Sequence, residues 1–373
     1  MNLMFAISFI RWGGVNTWML ELAASLQQRG HQVHIAAPRG HLMLKKAHAA
    51  GLGVCDRPFG VDFLSAPLWM AELRRRGIQA VLTNTSKENR TVGAAARLLR
   101  LPVAQWVGLA RDLKRNTTTT RFERTHIVDR IIAECASMRS DILHDFPFIP
   151  AGKLIFIRPG KPRRPMTVTR EALLQEAGLD PARLHGVVCS QLTQGKGHPE
   201  LLQAIAFLRD EGGLQPGVFH LSIFHTGKEE AALKALTGAL QLQNWVTFHG
   251  FSEKVVQYLP AFDLGFLPSH WEGLANNLRE YMMAGLCPVV SNLPGSTEVV
   301  IRNRNGFVHK TGDVADLADR IRTAIREPGT VEKFRNQAFL DAEEFFGMDA
   351  STRKMEHLFL ELRLRGSAPP PES

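Results

Sequence analysis

Two glutamates stand eight residues apart in the segment Leu267-Pro268-Ser269-His270-Trp271-Glu272-Gly273-Leu274-Ala275-Asn276-Asn277-Leu278-Arg279-Glu280. Carboxylates are strong acceptors for hydroxyl donors, and sugar and ribose hydroxyls are such donors. The apolar run Leu264 to Leu267 reads as a buried strand, so Glu272 follows a strand end and Glu280 falls within a helix. Ser269-x-x-Glu272 also fits a capping box, in which Glu272 would only close a helix start. Gly273 directly after it disfavours that start. A start near Ala275 leaves Glu272 in the loop and aims the free N–H groups of the first helical turn at a ligand, which suits a diphosphate.

Lys196 stands between glycines in Gln191-Leu192-Thr193-Gln194-Gly195-Lys196-Gly197-His198, after a strand and before a helix. Ligands of open parallel sheets sit at that carboxyl end, and a lysine flanked by glycines can reach phosphate oxygens. Taken singly, it also reads as a solvated loop lysine. Gly13-Gly14 follows the first strand, where glycines let a ligand approach the backbone; a tight turn would need them equally. Other chemistries lack their residues. There is no G-x-G-x-x-G, and no Asp or Glu lies between Glu21 and Asp56 to hold a nicotinamide ribose. Walker A and H-E-x-x-H are missing, and no D-x-D is present to clamp a metal on a diphosphate. Cys55, Cys135, Cys189 and Cys287 are too far apart for a zinc pattern and read as buried thiols of a reducing compartment.

Positioning these groups requires strands that end near them. Residues 3–9 form a continuous apolar run, as a strand buried on both faces does, and lack the basic start and cleavage site of a signal peptide. Val15, Met19, Leu22, Ala23 and Leu26 recur at helical spacing, with Gly30 as the stop. Strands follow at 32–37, 80–82, 103–107, 131–133 and 154–157, with Thr85 to Glu88 as a capping box between two of them. The proline-rich stretch Arg158 to Pro165 reads as a linker. The rhythm then restarts, with strands at 187–192, 219–224, 246–248, 264–267 and 288–290 and helices at 198–210, 228–240 and 313–326. This alternation predicts an α/β chain of two parallel-sheet halves. The threonine-rich stretch 114–126 reads as a polar loop and 366–373 as a disordered tail.

At 373 residues, two domains are expected, and the composition is that of a globular protein. No apolar run reaches the roughly 18–20 residues that span a bilayer. The net charge of +9 is uneven: residues 1–160 balance at +11 and residues 171–373 at −6. A basic half suggests an anionic partner, whether phospholipid, phosphorylated acceptor or nucleic acid, unless it merely solubilises the surface.

The motifs together resemble those of family 4 retaining glycosyltransferases of the two-Rossmann, GT-B architecture. The resemblance runs through Gly13-Gly14, Arg29-Gly30-His31-x-Val33, Lys196-Gly197-His198, Val246-x-Phe248-x-Gly250, Pro268-Ser269-x-x-Glu272-Gly273, Glu280-x-x-x-x-Gly285-x-x-Pro288-Val289-Val290 and Asn305-Gly306. It implies an acceptor-side domain at 1–160, rejoined by a helix at 345–365, and a donor domain at 166–344, closing about the linker. It also implies the roles. Glu280 holds the ribose, Glu272 contacts the transferred sugar, and Lys196 neutralises the leaving diphosphate with backbone groups of Gly273, Leu274, Ala275 and Asn276. Gly13 and Gly14 approach the phosphate or acceptor, and Gly250 and Phe251 lie in the base-binding loop. Arg111, Asp112 and His126 are the acceptor-side candidates. The family usually has arginine where this chain has Gln191, which can donate a hydrogen bond but carries no charge.

The implied function is retaining transfer of a hexose from a UDP- or GDP-sugar to a glycan or lipid-linked acceptor, as in lipopolysaccharide or envelope polysaccharide synthesis. It would use no metal or other cofactor, and would take place in the cytoplasm or at the inner membrane face. Anionic lipid is then the expected partner of the basic half, and nucleic acid is not. Arg74 to Arg76, Lys114-Arg115, Arg121 and Arg124 are candidate contacts, with a helix at 67–76 lying either in the interface or, through Trp69 and Leu73, on the core. The alternatives are an epimerase or phosphorylase of the same architecture and a basic, non-enzymatic membrane- or nucleic-acid-binding protein.

Overall fold

A computed structural model describes residues 1–8, 13–60, 63–108, 113, 117–162, 169–176, 178–252 and 254–366. The chain divides into two compact units, Met1–Pro162 with Phe346–Ser373, and Arg163–Phe345.

The first unit runs β1 (Asn2–Ala6), α1 (Gly14–Gln28), β2 (Gln32–Ala36), α2 (Leu42–Ala49), β3 (Gly53–Cys55), α3 (Ala66–Arg75), β4 (Ala80–Thr83), α4 (Ser86–Glu88), α5 (Ala94–Leu98), β5 (Val103–Val107), α6 (Thr118–Phe122), β6 (Arg130–Ala133), α7 (Ala136–Asp145) and β7 (Leu154–Phe156). Its strands form one parallel sheet ordered β3-β2-β1-β4-β5-β6-β7. Strands covered on both faces must be apolar throughout, and every residue of β4 and β5 is buried. Trp18, Met19, Leu22, Ala23 and Leu26 of α1 share a core with Leu3 and Phe5 of β1.

The second unit runs α8 (Arg170–Glu176), β8 (Leu184–Cys189), α9 (His198–Asp210), β9 (Phe219–Phe224), α10 (Glu230–Ala239), β10 (Val246–Gly250), α11 (Val255–Tyr258), β11 (Leu264–Leu267), α12 (Asn276–Met283), β12 (Cys287–Ser291), α13 (Pro294–Thr297), β13 (Phe307–His309), α14 (Val314–Arg326) and α15 (Pro328–Phe346). Its parallel sheet is ordered β10-β9-β8-β11-β12-β13. The last helix, α16 (Met348–Gly366), belongs to the first unit. Its Met355, Leu358, Phe359 and Leu362 join the core of β1 and α1. Glu356 accepts from Arg29 Nη2 at 2.7 Å and lies 2.8 Å from His31 Nε2, which gives Arg29-Gly30-His31 a structural task.

Several expectations change. The expected strand 187–192 starts earlier and ends at Cys189, because Thr193 N–H turns back to the Gln191 carbonyl at 2.8 Å and takes the chain out of the ladder. The stretch read as a polar loop contains α6 and a π-helical turn, Glu123–Ile127, within its described residues. Its threonines are a cap: Thr117 Oγ1 accepts from Thr120 N–H, and Thr120 Oγ1 accepts from Thr117 N–H. In α3, Trp69 and Leu73 are buried, so of the two readings of that helix the core wins for these residues, while Leu68 stays exposed. Arg124, named as a surface contact, is fully buried and donates to the Leu113 carbonyl at 2.7 Å. Lys114-Arg115, residues 163–165 of the linker and nearly all of the tail lie outside the described residues.

Candidate functional site

The strand order of the second unit reverses between β8 and β11, with β9 continuing on one side and β12 on the other. In open parallel sheets, ligands bind at the carboxyl ends of the strands beside such a reversal. Residues 190–197 follow β8 and residues 268–275 follow β11. The sheet thus brings together two segments that are far apart in sequence.

Their contact is close. Lys196 Nζ and a carboxylate oxygen of Glu272 form an ion pair, with the two side chains about 25% and 13% exposed. Ser269 Oγ donates to the same carboxylate oxygen at 3.3 Å. The Ser269-x-x-Glu272 spacing therefore holds the glutamate in the loop and does not begin a helix. His270 N–H donates to the Gly195 carbonyl at 2.8 Å, and His270 Nε2 lies 2.7 Å from Glu200 of α9. The glycines beside Lys196 are dictated by this fit. Gly195 (φ +83°) lies under the Trp271 ring, where a Cβ would come within 2.0 Å of a ring carbon. Gly197 (φ +73°) faces the Pro268 carbonyl oxygen, 1.9 Å from where its Cβ would be. Any side chain there would separate the two loops.

The helix after the loop starts at Asn276, with Ala275 as its cap residue and no side chain capping it. The first N–H groups of a helix have no partner within it, and they carry the positive end of the helix dipole. Two hydrogen bonds tie this helix to the end of β8: Cys189 N–H donates to Tyr281 Oη at 2.7 Å, and Asn277 Nδ2 donates to the Cys189 carbonyl at 3.4 Å. Glu280, half-buried, sits one residue before that tyrosine. The loop is backed by α13, where Gly295 packs directly on the Gly273 carbonyl. Leu274 and Ala275 are buried, and Gly273 and Asn276 partly so.

At the neighbouring strand ends, Gly250 closes β10 with φ +70° and accepts from His225 N–H at 2.7 Å. His225 itself takes φ +107°, a conformation that costs free energy for a residue with a side chain. Its ring meets that of Phe251 edge-on at 5.4 Å, and Phe251 is 61% exposed. An exposed aromatic edge of this kind is suited to stack on a base. Gln191 is exposed in the β8 loop.

Sequence alone assigns no role to Trp271, His225, Gly295 or His198, although Trp271 and His198 lie within its motifs. His198 is buried at the start of α9, with Nε2 3.0 Å from Ser190 Oγ. Burial, aided by the charge of Lys196, lowers its pKa to about 4. The imidazole is therefore neutral at pH 7 and adds no charge to the loop after β8.

In the first unit, Gly13 caps α1 in an extended conformation with open space where a side chain would be, and Gly14 begins the helix. Arg111 and Asp112 lie outside the described residues. His126 is exposed, its ring 5.0 Å from that of Phe122. The buried carboxylate of Glu88 accepts from the N–H groups of Ser8, Asn84 and Thr85, joining the ends of β1 and β4 where this sheet reverses. Among the described residues, no cluster of three or more metal-ligating side chains occurs, and no helix is long and apolar enough to cross a membrane.

Comparison with known proteins agrees with the two-sheet fold. Residues 171–341 match the family described as glycosyl transferases group 1, and residues 12–161 match glycosyltransferase family 4. A poly(glycerol-phosphate) alpha-glucosyltransferase of Bacillus subtilis is 28% identical over 127 residues, covering 34% of this chain and 19% of that protein. The chain aligns with two fifths or less of the length of its curated relatives. Among solved structures, a glycosyltransferase from Rickettsia africae superposes with a TM-score of 0.86 at 17% identity, covering 97% of this chain and 98% of that one. Anabaena HepE, solved in complex with UDP, superposes with a TM-score of 0.83 at 18% identity over 97% and 100%.

Proposed function

Because this chain belongs to the family 4 glycosyltransferases of GT-B architecture, we propose that it transfers a hexose from a UDP-sugar to a glycan or lipid-linked acceptor, with retention of the anomeric configuration and without a metal ion. The observation that carries this reading is the Lys196–Glu272 pair at the switch point, beside the uncapped start of α12.

In this reading the donor's diphosphate takes Lys196 from Glu272 and lies against the N–H groups at the start of α12, with Gly273, Leu274, Ala275 and Asn276 forming the backbone wall. Glu272, released from the lysine but still held by Ser269, accepts from a hydroxyl of the sugar. Glu280 accepts from the ribose hydroxyls, while Gly250 and Phe251 receive the base. The leaving diphosphate takes the acceptor's proton, so the protein contributes position and charge and no nucleophile. Gln191 supplies a neutral donor where an arginine is usual, which puts more of the electrostatic work on Lys196 and α12. A metal clamp has no obvious holder here, since no D-x-D occurs.

UDP is favoured over other nucleotides because the similar HepE is solved with UDP and with UDP-glucose. Retention is favoured because a relative acts as an alpha-glucosyltransferase. Gly13 and Gly14 are assigned to the donor phosphate or the acceptor, Arg111, Asp112 and His126 to the acceptor, and the basic N-terminal half to an anionic surface at the cytoplasmic face of a membrane. Saturation-transfer NMR with UDP-, GDP- and ADP-sugars, followed by analysis of the product's anomeric centre, tests the proposal. It predicts saturation of a UDP-sugar and an α-linked product; isomerised donor without transfer would refute it.

A further inference from the structure

The first unit holds a second cationic site. Beside the edge strand β3 and the end of α3 lies a cavity of about 580 Å³, lined by Arg39, Asp56, Arg57, Glu72, Arg75 and Arg76 among others. That volume is in the range of small-molecule sites. Its side chains carry two more positive charges than negative ones.

Glu72 organises the arginines. It is 2% exposed and accepts from Arg75 Nη2 at 2.5 Å, Arg57 Nε at 3.2 Å and Arg76 Nε. Burial works against its charge, but the hydrogen bonds from Arg75 and Arg76 prevail and hold the carboxyl at about 2. Arg76 is fully engaged, since its other nitrogens reach the Val54 carbonyl at 2.9 Å and His34 Nδ1 at 3.0 Å. Burial and the nearby Glu72 push the Cys55 thiol up to about 11, so this cysteine stays neutral.

The remaining donors exceed what the protein uses. Arg57 engages Glu72 through Nε only, and among the described residues its two Nη groups have no partner. Arg39 is 91% exposed, and its nearest carboxylate is Asp56 at 3.9 Å. Arg75 is 64% exposed. A guanidinium has five donors in a planar fork that matches phosphate oxygens. Glu72 thus holds Arg57 by Nε and Arg75 by Nε and Nη2, which leaves the Arg57 Nη groups, Arg75 Nη1 and the exposed Arg39 guanidinium around the cavity.

We propose that this cavity binds a phosphate group bearing about two negative charges, as in a phosphomonoester or diphosphate. The proposal stands on the arginine geometry and is independent of the transferase reading.

Calorimetric titration of inorganic pyrophosphate tests it, in the full chain carrying Lys196→Ala and Glu280→Ala so that the β8–β11 loops do not compete. Saturable binding should weaken about tenfold or more on adding Arg57→Gln with Arg75→Gln, the loss of one or two charge-assisted hydrogen bonds. Arg326→Gln, at an exposed arginine of α14 outside the cavity, should leave it unchanged. If the double variant does not fold, Arg39→Gln makes the same comparison, because its contact is with the exposed Asp56 at 3.9 Å. Sedimentation with phosphatidylcholine vesicles, with and without phosphatidic acid, runs alongside. A loss confined to the vesicle arm makes the occupant a lipid phosphate, and a loss in the pyrophosphate arm makes it a soluble one; either supports the site. Equal weakening by Arg326→Gln, or no loss in either arm, would overturn it.

Discussion

At the scale of residues, Lys196 and Glu272 have to do two things in turn. They pair with each other in the free chain, and in the proposed cycle each moves to a part of the donor. Removing either leaves the other a half-buried charge without its partner, so the two truncations should not be additive. Glu272→Ala should lower kcat by about tenfold to a hundredfold with a smaller change in KM, the pattern of an interaction made mainly in the transition state. Steady-state kinetics on the single and double variants measures both. Unchanged kcat for Glu272→Ala would remove the residue from the chemistry. A second expectation concerns pH. The pKa values of His198 and His220 are lowered to about 4, chiefly by burial. Unfolding releases each to its ordinary value near 6.5, so the unfolded chain binds protons first as the pH falls. The stability these histidines confer is complete above about 6.5 and is lost progressively between there and about 4. Melting temperature should fall across that window, and His198→Gln should make the fall shallower if the ring is neutral when folded.

At the scale of elements, the site depends on two loops meeting, and glycines decide whether they can. Gly195→Ala and Gly197→Ala would each drive a methyl group into a neighbour, the Trp271 ring in one case and the Pro268 carbonyl in the other. The ring can tilt away but the backbone carbonyl cannot, so Gly197→Ala should cost more. A loss of several degrees in melting temperature and a larger loss in transfer rate are expected for Gly197→Ala. Equal, small effects in both variants would show that the loops are not locked. Glu88 gives the corresponding test in the first unit. Glu88→Ala strands three N–H groups at the ends of β1 and β4, at about 1–3 kcal/mol each where burial is complete. Thermal unfolding should show it as one of the most damaging single changes in that unit. These contacts also mark what the sequence disclosed. The apolar runs of β4, β5 and β11 and the spacing in α1 were legible because burial on both faces, or on one helical stripe, leaves a period in the chain. The start of α12 was legible because Gly273 opposes an earlier one. By contrast, Trp271 over Gly195 and Gly295 under Gly273 arise only when loops distant in sequence are folded together. Thr117 and Thr120 cap each other, and the run of identical residues around them hid that arrangement.

At the scale of the whole molecule, charge and site separate by unit. The basic excess belongs to residues 1–160, whereas the proposed donor groups belong to the other unit, whose sequence is net acidic. If the basic half serves an anionic lipid surface, binding to vesicles containing phosphatidylglycerol should weaken steeply with added salt, while UDP affinity changes much less. Parallel salt series by co-sedimentation and titration would show it, and vesicle binding indifferent to salt would count against that role. The two-sheet architecture and the Lys196 and Glu272 positions could be expected from the sequence, since motif spacing survives without coordinates. The arginine cavity around Glu72 could not, because Arg57 and Arg75 meet only where Glu72 and Arg76 tie the end of α3 to the β3 region. The central claim is that the β8 and β11 loops and the start of α12 hold a nucleotide-sugar donor, and the most direct measurement is calorimetric titration of UDP into the full chain and its Glu280→Ala variant. The account predicts saturable one-site binding that weakens about tenfold or more when the ribose carboxylate is removed; equal affinity in a variant that melts like the parent would contradict it.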